Sequence, residues 1–85
     1  MSEFVDWMLE DRPDVQAAIN SGMAWRLEGA YGRHAMSYIE AGACVLGEEA
    51  HTDYWGNRVP SRYEVEPGTK GSVEYAEARG WKPLI

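Results

Sequence analysis

Apolar side chains recur at helical spacing over the first 22 residues, and a proline interrupts them. A first short helix is predicted after Ser2, because apolar residues three and four positions apart form one buried face. The residues on that face are Phe4, Val5, Met8 and Leu9. Proline is tolerated in the first turn of a helix but not in its interior, so Pro13 predicts a break and the start of a second helix. Gly22 is placed to end this second helix, whose apolar face includes Val15 and Ile19.

A third and longer helix is predicted from Met23 to about Ala41. Its apolar and aromatic stripe again advances by three and four residues. The stripe consists of Leu27, Tyr31, His34, Ala35 and Tyr38. Gly29 and Gly32 lie inside this helix, where each costs about 1 kcal/mol relative to Ala. We therefore expect either a crossing with one of the first two helices at these glycines or a bend in the helix, which Gly42 then ends.

Beyond residue 42 the pattern changes from helical to short and irregular. The apolar run 43–46 predicts one strand. Tyr63 and Val65 alternate with charged residues, which predicts a second, half-exposed strand. Between these segments, 48–53 is a polar loop and 54–59 a turn containing Gly56, a residue that accepts positive φ angles.

The C-terminal part predicts a tight turn followed by a last helix. Pro67 and Gly68 fit the two central positions of a type II turn. Ser72 is placed to cap a helix from Val73 to Arg79. Together the elements predict a single α+β domain over residues 1–85: an N-terminal three-helix unit, a small irregular β-hairpin and a short C-terminal helix.

A winged helix-turn-helix is a second architecture that three helices and a hairpin can form. That architecture needs a basic recognition helix. The segment from Met23 to Ala41 offers only Arg26, Arg33 and His34 for this purpose. The charge pattern therefore favours the first interpretation.

Composition narrows the class of protein further. With 45% hydrophobic and 12% aromatic residues, the 85-residue chain can form one core and is unlike a disordered segment. Cys44 is the only cysteine, which excludes an intramolecular disulfide. No apolar run approaches the roughly 18–20 residues of a membrane span, and the N-terminus lacks the pattern of a signal peptide. We expect a cytoplasmic protein that does not contact membranes.

The chain has a net charge of −6, and its acids are concentrated near the N-terminus. These N-terminal acids are Glu3, Asp6, Glu10, Asp11 and Asp14. An acidic protein is repelled by phosphate backbones, so simple binding to nucleic acid is disfavoured. The acidic helices form either a solvated face or a surface that imitates phosphates and occupies a basic groove of a partner.

The residues capable of metal binding or catalysis lack the spacing that such chemistry requires. The possible ligands are His34, Cys44, His51 and Asp53, and no two of them form a Cys-x-x-Cys or His-x-x-x-His pair. A Cys44 nucleophile would need His34 or His51 beside it, and nothing in the sequence brings them together. We expect no enzyme activity, no metal and no cofactor.

The segment 54–62 is the strongest candidate for a contact surface. Its candidate binding residues are Tyr54, Trp55, Asn57, Arg58 and Arg62. Trp, Tyr and Arg are the residue types that anchor protein interfaces, and aromatic and Arg side chains also stack on bases. The alternative is structural: Trp55 fills the core from a loop, while Arg58 and Arg62 pair with nearby acids.

Four stretches carry a resemblance to a known class of protein: YGRHAM at 31–36, CVLG at 44–47, DYWGNRVPSR at 53–62 and EPGTKGS at 66–72. In these stretches the chain resembles small uncharacterised accessory proteins of actinobacterial phages. The resemblance covers about half of the chain and brings no catalytic or binding residues with it. It implies a phage product that contacts a host or phage factor.

The sequence therefore predicts a small acidic accessory factor that binds another protein, for example by binding or inhibiting a host protein. The alternative is a role related to nucleic acid, either as a weak binder through the Arg and aromatic turn or as an acidic mimic. A homodimer is a further prediction, because a chain with this many aromatic residues can bury some of them across a two-fold axis.

Overall fold

The computed structural model describes residues 3–27 and 29–84, and the side chains of 10–27 and 30–84. The described residues confirm the α+β architecture, with helices first, an antiparallel hairpin next and a short helix last. The elements in chain order are α1 (Glu3–Ser21), α2 (Met23–Arg26), α3 (Gly29–Ala41), β1 (His51–Thr52), β2 (Arg58–Val59) and α4 (Val73–Ala78). None of the helices among these residues combines the length and apolar character of a membrane span.

Helix α1 is continuous through Pro13, so the predicted break at this residue is wrong. An interior proline removes one backbone hydrogen bond and costs about 3 kcal/mol. Tertiary packing offsets this cost, since Val15 and Ile19 of the same helix are fully buried in the core. The apolar face predicted for residues 4–9 lies outside the described side chains. Gly22, at φ +85°, follows α1 as predicted.

The predicted long helix is divided into α2 and α3, so its continuity is also wrong. Leu27 is extended, with φ −78° and ψ 168°, and the helix cannot pass through that conformation. A Cβ added at Gly32 would lie 3.8 Å from the carbonyl oxygen of Ala24, an ordinary contact. The other neighbour within 4 Å is Trp25 Cε3, and both Ala24 and Trp25 belong to α2. Among the described residues, the crossing predicted at this glycine with one of the first two helices is therefore not observed. Gly42 ends α3 with φ +82°, as predicted.

The apolar segment 43–46 is buried but is not a strand, which corrects the prediction. Its backbone finds partners elsewhere: the N–H of Cys44 donates to the Tyr38 carbonyl oxygen at 3.2 Å, and that of Leu46 to the Gly71 carbonyl oxygen at 3.0 Å. Between them, the Gln16 side chain bonds both polar groups of Val45. Its Nε2 donates to the carbonyl oxygen and its Oε1 accepts from the N–H, each at 2.9 Å. We name residues 43–46 the clamped segment.

The hairpin forms from residues other than those predicted as strands. Strands β1 and β2 pair antiparallel, with His51 opposite Val59 and Thr52 opposite Arg58. The predicted strand at Tyr63–Val65 is instead turn and bend, because the N–H of Glu64 donates back to the Ser61 carbonyl oxygen at 3.1 Å. The 48–53 segment, predicted as loop, supplies β1.

The C-terminal turn and helix form as the sequence predicts. The N–H of Thr69 donates to the Glu66 carbonyl oxygen at 3.0 Å, and Gly68 has φ +90°, as a type II turn requires. The Ser72 hydroxyl accepts from the N–H of Tyr75 at 3.1 Å, which caps α4. The same hydroxyl accepts from the N–H of Gly68 at 3.0 Å and so fixes the turn to the helix.

The core lies between α1, α2, α3 and the clamped segment, with the C-terminal residues packed over it. Its buried apolar members are Val15, Ile19, Ala24, Trp25, Ala35, Tyr38, Ile39, Ala43, Cys44, Leu46 and Val59. The buried Arg12 guanidinium donates to the carbonyl oxygens of Ala43 and Lys82, and it lies 4.8 Å from the ring centroid of Trp81. Burial lowers the pKa of Arg12, because desolvation disfavours its charged form. Helix α1 thus holds both the clamped segment and the C-terminal residues.

Candidate functional site

The tip of the hairpin, residues 53–57, is held together by one carboxylate. Asp53 Oδ1 accepts from the backbone N–H groups of Trp55 at 2.9 Å and Asn57 at 2.8 Å. The backbone N–H of Asp53 donates to the Asn57 carbonyl oxygen at 2.8 Å, and that of Gly56 donates to the Asp53 carbonyl oxygen at 3.0 Å. Gly56 has φ +86°, a conformation that favours glycine. The tip is therefore a closed turn whose shape does not depend on packing of its side chains.

Two aromatic side chains project from this tip into solvent. Tyr54 is 54% exposed and Trp55 is 69% exposed. Their rings meet edge to face, with centroids 4.9 Å apart and planes at 84°, which limits the motion of both. Trp55 does not fill the core, so the structural alternative for this residue is wrong.

A cavity of about 240 Å³ lies beside these rings. We name it the aromatic groove; its apolar lining is Trp25, Leu27, Met36, Tyr54, Trp55 and Val59. Trp25 and Val59 are buried, whereas Leu27 is 44% exposed. Arg33 and Asp53 also line the groove, and the Asp53 carboxylate is occupied by the turn. The groove therefore connects the core to two exposed aromatic rings and leaves one exposed cation, Arg33, at its border.

The other predicted binding residues have different environments. Asn57 is exposed at the end of the turn. The exposed Arg58 pairs with Glu64. The pKa of Glu64 is lowered, first by the hydrogen bond that its carboxylate accepts from the backbone N–H of Ser61 and then by Arg58. Arg58 therefore follows the structural alternative, in which a nearby acid neutralises it.

Arg62 is separated from the exposed residues, which corrects its assignment to the same contact surface. Its side chain is only 3% exposed, and its Nη2 lies 3.6 Å from Glu48 Oε1. Its backbone N–H donates to the Gly47 carbonyl oxygen at 2.9 Å. The sequence segment 54–62 therefore contains an exposed part and a buried end, which residue type alone does not distinguish.

The possible metal ligands and the possible nucleophile each take part in packing or in local hydrogen bonds. Among the described residues, no three of His, Cys, Asp and Glu lie close enough together to hold a metal ion. The ring of His34 lies 5.8 Å from that of Tyr31 and 5.0 Å from that of Tyr38. A Cβ added at Gly22 would lie 2.4 Å from His51 Nδ1, so the imidazole of His51 packs directly on that glycine.

Cys44 has the environment of a structural cysteine. It is buried, and its Sγ lies 3.7 Å from the Arg12 carbonyl oxygen, to which the thiol donates. Burial raises the pKa of its thiol to about 12, although the positive charge of Arg12 acts in the opposite direction. A thiol protonated at neutral pH is a poor nucleophile.

The acidic N-terminal surface is described only in part. Glu10 and Asp14 are exposed on α1, and Asp11 is half-buried. The side chains of Glu3 and Asp6 lie outside the described residues. Glu10 and Asp14 therefore have the solvated position that is usual for charges on a helix.

Sequence reasoning missed Leu27 as an exposed residue of the groove, because it placed this residue on the buried stripe of a continuous helix. Gly29 two positions later was the available signal, since glycine weakens a helix. Trp25 and Met36 were missed because only tertiary packing brings them to the hairpin tip.

Comparison with known proteins places the chain in a family. A family model described as a domain of unknown function, DUF7417, matches residues 9–61. Searches of curated proteins and of solved structures find no match. The matched segment includes every residue of the aromatic groove and ends before Arg62. Because the match spans more than half of the chain, this protein belongs to the DUF7417 family.

Proposed function

We propose that this protein is a small accessory factor that binds another protein through the aromatic groove. The observation that carries the proposal is the exposure of Trp55 on a closed turn beside a cavity that leads to the core. A large aromatic side chain in solvent costs hydrophobic free energy, which burial in an interface recovers.

The rigidity of the tip supports binding by this surface. Asp53 closes the turn through two hydrogen bonds, and the two rings brace one another. Little conformational entropy is lost when such a surface binds, because its side chains already have a defined arrangement. Exposed Trp and Tyr next to a pocket are the typical anchors of a protein interface.

The size of the groove favours a macromolecular partner over a small substrate. Ligand pockets usually have volumes of about 300–1,000 Å³. The aromatic groove has about 240 Å³ and an apolar lining, which suits an anchoring apolar side chain of a partner. We propose a host or phage protein that presents such a side chain.

The charges near the hairpin support a protein partner over nucleic acid. Arg58 is paired with Glu64, and Arg62 is buried. Direct binding of nucleic acid by the Arg and aromatic turn depends on these two cations. The chain as a whole carries −6, which opposes binding to phosphates.

A capture experiment with paired variants tests the proposal. The tagged protein is incubated with lysate of the organism in which it functions, and the captured partner is then purified and titrated by calorimetry. Trp55→Ala should weaken the complex by about tenfold or more, because an aromatic anchor contributes over 1 kcal/mol. Tyr63→Ala is the matched control: Tyr63 is 73% exposed and does not line the aromatic groove.

Three outcomes contradict the proposal. If Trp55→Ala binds the partner as tightly as the unmodified chain, the groove is not the interface. If Tyr63→Ala alone weakens binding, the interface lies at Tyr63 and outside the aromatic groove. If the chain captures nucleic acid with steep salt dependence and no protein, the nucleic-acid alternative replaces the proposal.

A further inference from the structure

Arg62 is a buried cation with hydrogen-bonding groups that the fold leaves uncompensated. The residue is 5% exposed, and neither Nε nor Nη1 has a hydrogen-bond partner among the described residues. Glu48 approaches Nη2 only to 3.6 Å, and its own side chain is largely exposed. Unsatisfied buried donors are costly, above all on a charged group. An acceptor from outside the chain lowers this cost when the Arg62 side chain turns these donors, which have almost no accessible surface in the structure, toward the adjacent cavity.

A cavity lies at this arginine. It has a volume of about 230 Å³ and is lined by Arg62, Tyr63, Val65, Pro67, Val73 and Glu74. We name it the Arg62 cavity. Its lining is mainly apolar apart from one cation and one carboxylate, and it has no residue in common with the aromatic groove.

We infer that the Arg62 cavity binds a carboxylate carried on a small apolar group. A guanidinium donates charge-assisted hydrogen bonds to a carboxylate in a geometry that fits both groups. The apolar lining from Val65, Pro67 and Val73 suits a short aliphatic group attached to that carboxylate. The same chemistry is presented by a free short-chain acid and by a carboxylate of a partner protein.

The charged residues that line the cavity favour a ligand with a single negative charge. Glu74 also lines the cavity, and its negative charge opposes the entry of anions. A phosphate that carries more than one negative charge is repelled more strongly than a carboxylate with one. The expected order of affinity is therefore butyrate above acetate, because of the added apolar contact, and acetate above inorganic phosphate.

The test uses the full chain and three small probes. Sodium butyrate, acetate and phosphate are titrated at constant ionic strength, and binding is followed by the NMR signal of Arg62 Nε–H and by the surrounding backbone amides. Butyrate should produce saturable shifts at Arg62, Val65 and Val73, and phosphate should not. A further probe distinguishes a carboxylate of a partner protein from that of a free acid. It is a peptide with a C-terminal carboxylate, which should compete with butyrate.

Variants test whether binding of butyrate depends on the charged residues of the Arg62 cavity. Arg62→Gln should weaken butyrate binding by about tenfold or more, because a charged hydrogen bond is lost. Arg58→Gln is the matched control, since Arg58 is exposed and does not line the cavity. Glu74→Gln should strengthen binding by about threefold through the loss of repulsion. Glu74 is exposed, so this variant remains informative if Arg62→Gln fails to fold.

Two results overturn the inference. One is a set of shifts that stay linear and are equal for butyrate, phosphate and chloride, which indicates a general salt effect. The other is a Glu74→Gln variant that binds butyrate no better than the unmodified chain. Both results leave the aromatic groove untouched, because the groove is tested with Trp55→Ala.

Discussion

The clamped segment and the hairpin tip are both irregular pieces of backbone, and they satisfy their polar groups in opposite ways. In residues 43–46 most of the partners come from far along the chain: Gln16 bonds both polar groups of Val45, and Arg12 donates to the Ala43 carbonyl oxygen. At the tip the partner is local, because Asp53 accepts from two N–H groups within four residues.

The difference determines what each region can do. A backbone satisfied by distant side chains can be buried, and its burial links α1 to the rest of the core. A backbone satisfied by its own turn can remain in solvent, and its side chains are then available to a partner. Long-range polar contacts therefore support burial of the clamped segment, while local contacts keep the tip in solvent, where the proposed function requires it.

The largest loss of stability is expected when Arg12 is replaced. Arg12→Met removes the donor to the buried carbonyl oxygen of Ala43 and to the part-buried carbonyl oxygen of Lys82, together with the contact with the Trp81 ring. We expect a loss of about 3 kcal/mol in the free energy of unfolding, measured by chemical denaturation. Arg26→Met is the control, since Arg26 is exposed and should lose less than about 1 kcal/mol. Equal effects of the two substitutions would refute the role of Arg12.

A smaller loss is expected for Gln16→Ala. Both polar groups of Val45 become unsatisfied in a buried position, which should cost about 2 kcal/mol. The clamped segment should also open more often, so iodoacetamide should label Cys44 faster than in the unmodified chain. Asn20→Ala removes only the contact with Gln16 and should leave the labelling rate nearly unchanged. Unaltered labelling in Gln16→Ala would show that Gln16 does not hold this segment.

A substitution at Asp53 should affect the hairpin tip and leave the core unchanged. Asp53→Ala removes the acceptor of two exposed hydrogen bonds and should cost about 1 kcal/mol. Hydrogen exchange of the Trp55 and Asn57 amides should accelerate, while the amides of α1 should not change. Asp53→Asn keeps an acceptor oxygen and should retain most of the protection. Coupled acceleration in α1 would mean that the tip and the core are not independent.

The smallest effect is expected for Trp55→Ala. Its side chain is mostly in solvent, so thermal and chemical denaturation should change by no more than about 0.5 kcal/mol. Trp25→Ala provides the contrast within the same groove, with an expected loss above about 3 kcal/mol from its buried site. A large loss in Trp55→Ala would place this residue in the core and remove the main support for the proposed function.

Local signals in the sequence determined much of the secondary structure. Gly22 and Gly42 end helices, Ser72 caps α4, and Gly68 completes a tight turn, each as expected. These features depend on a few neighbouring residues, through φ angles and short hydrogen bonds. Residue type indicates them without knowledge of the fold.

The turn at the hairpin tip was also predicted from local signals in the sequence. The sequence predicted a turn at 54–59 and identified Tyr54 and Trp55 as candidate binding residues, and the structure exposes both on that turn. It could not identify the groove, because Trp25 and Met36 reach the tip only through packing. The sequence also could not predict the strand positions. Segment 43–46 has the apolar pattern of a strand, but its backbone bonds to the side chains of Arg12 and Gln16, to α3 and to a loop.

Where propensity and packing conflict, only the tertiary structure decided the outcome. Pro13 favours a break, yet α1 continues, because burial of Val15 and Ile19 offsets the lost hydrogen bond. Leu27 fits a helical stripe, yet the chain turns extended there. Arg58 and Arg62 have the same residue type and lie four positions apart, but one is in solvent and the other is buried beside a cavity. The sequence determined the local conformations, and the distribution of side chains between core and surface was settled by contacts among residues distant in the chain.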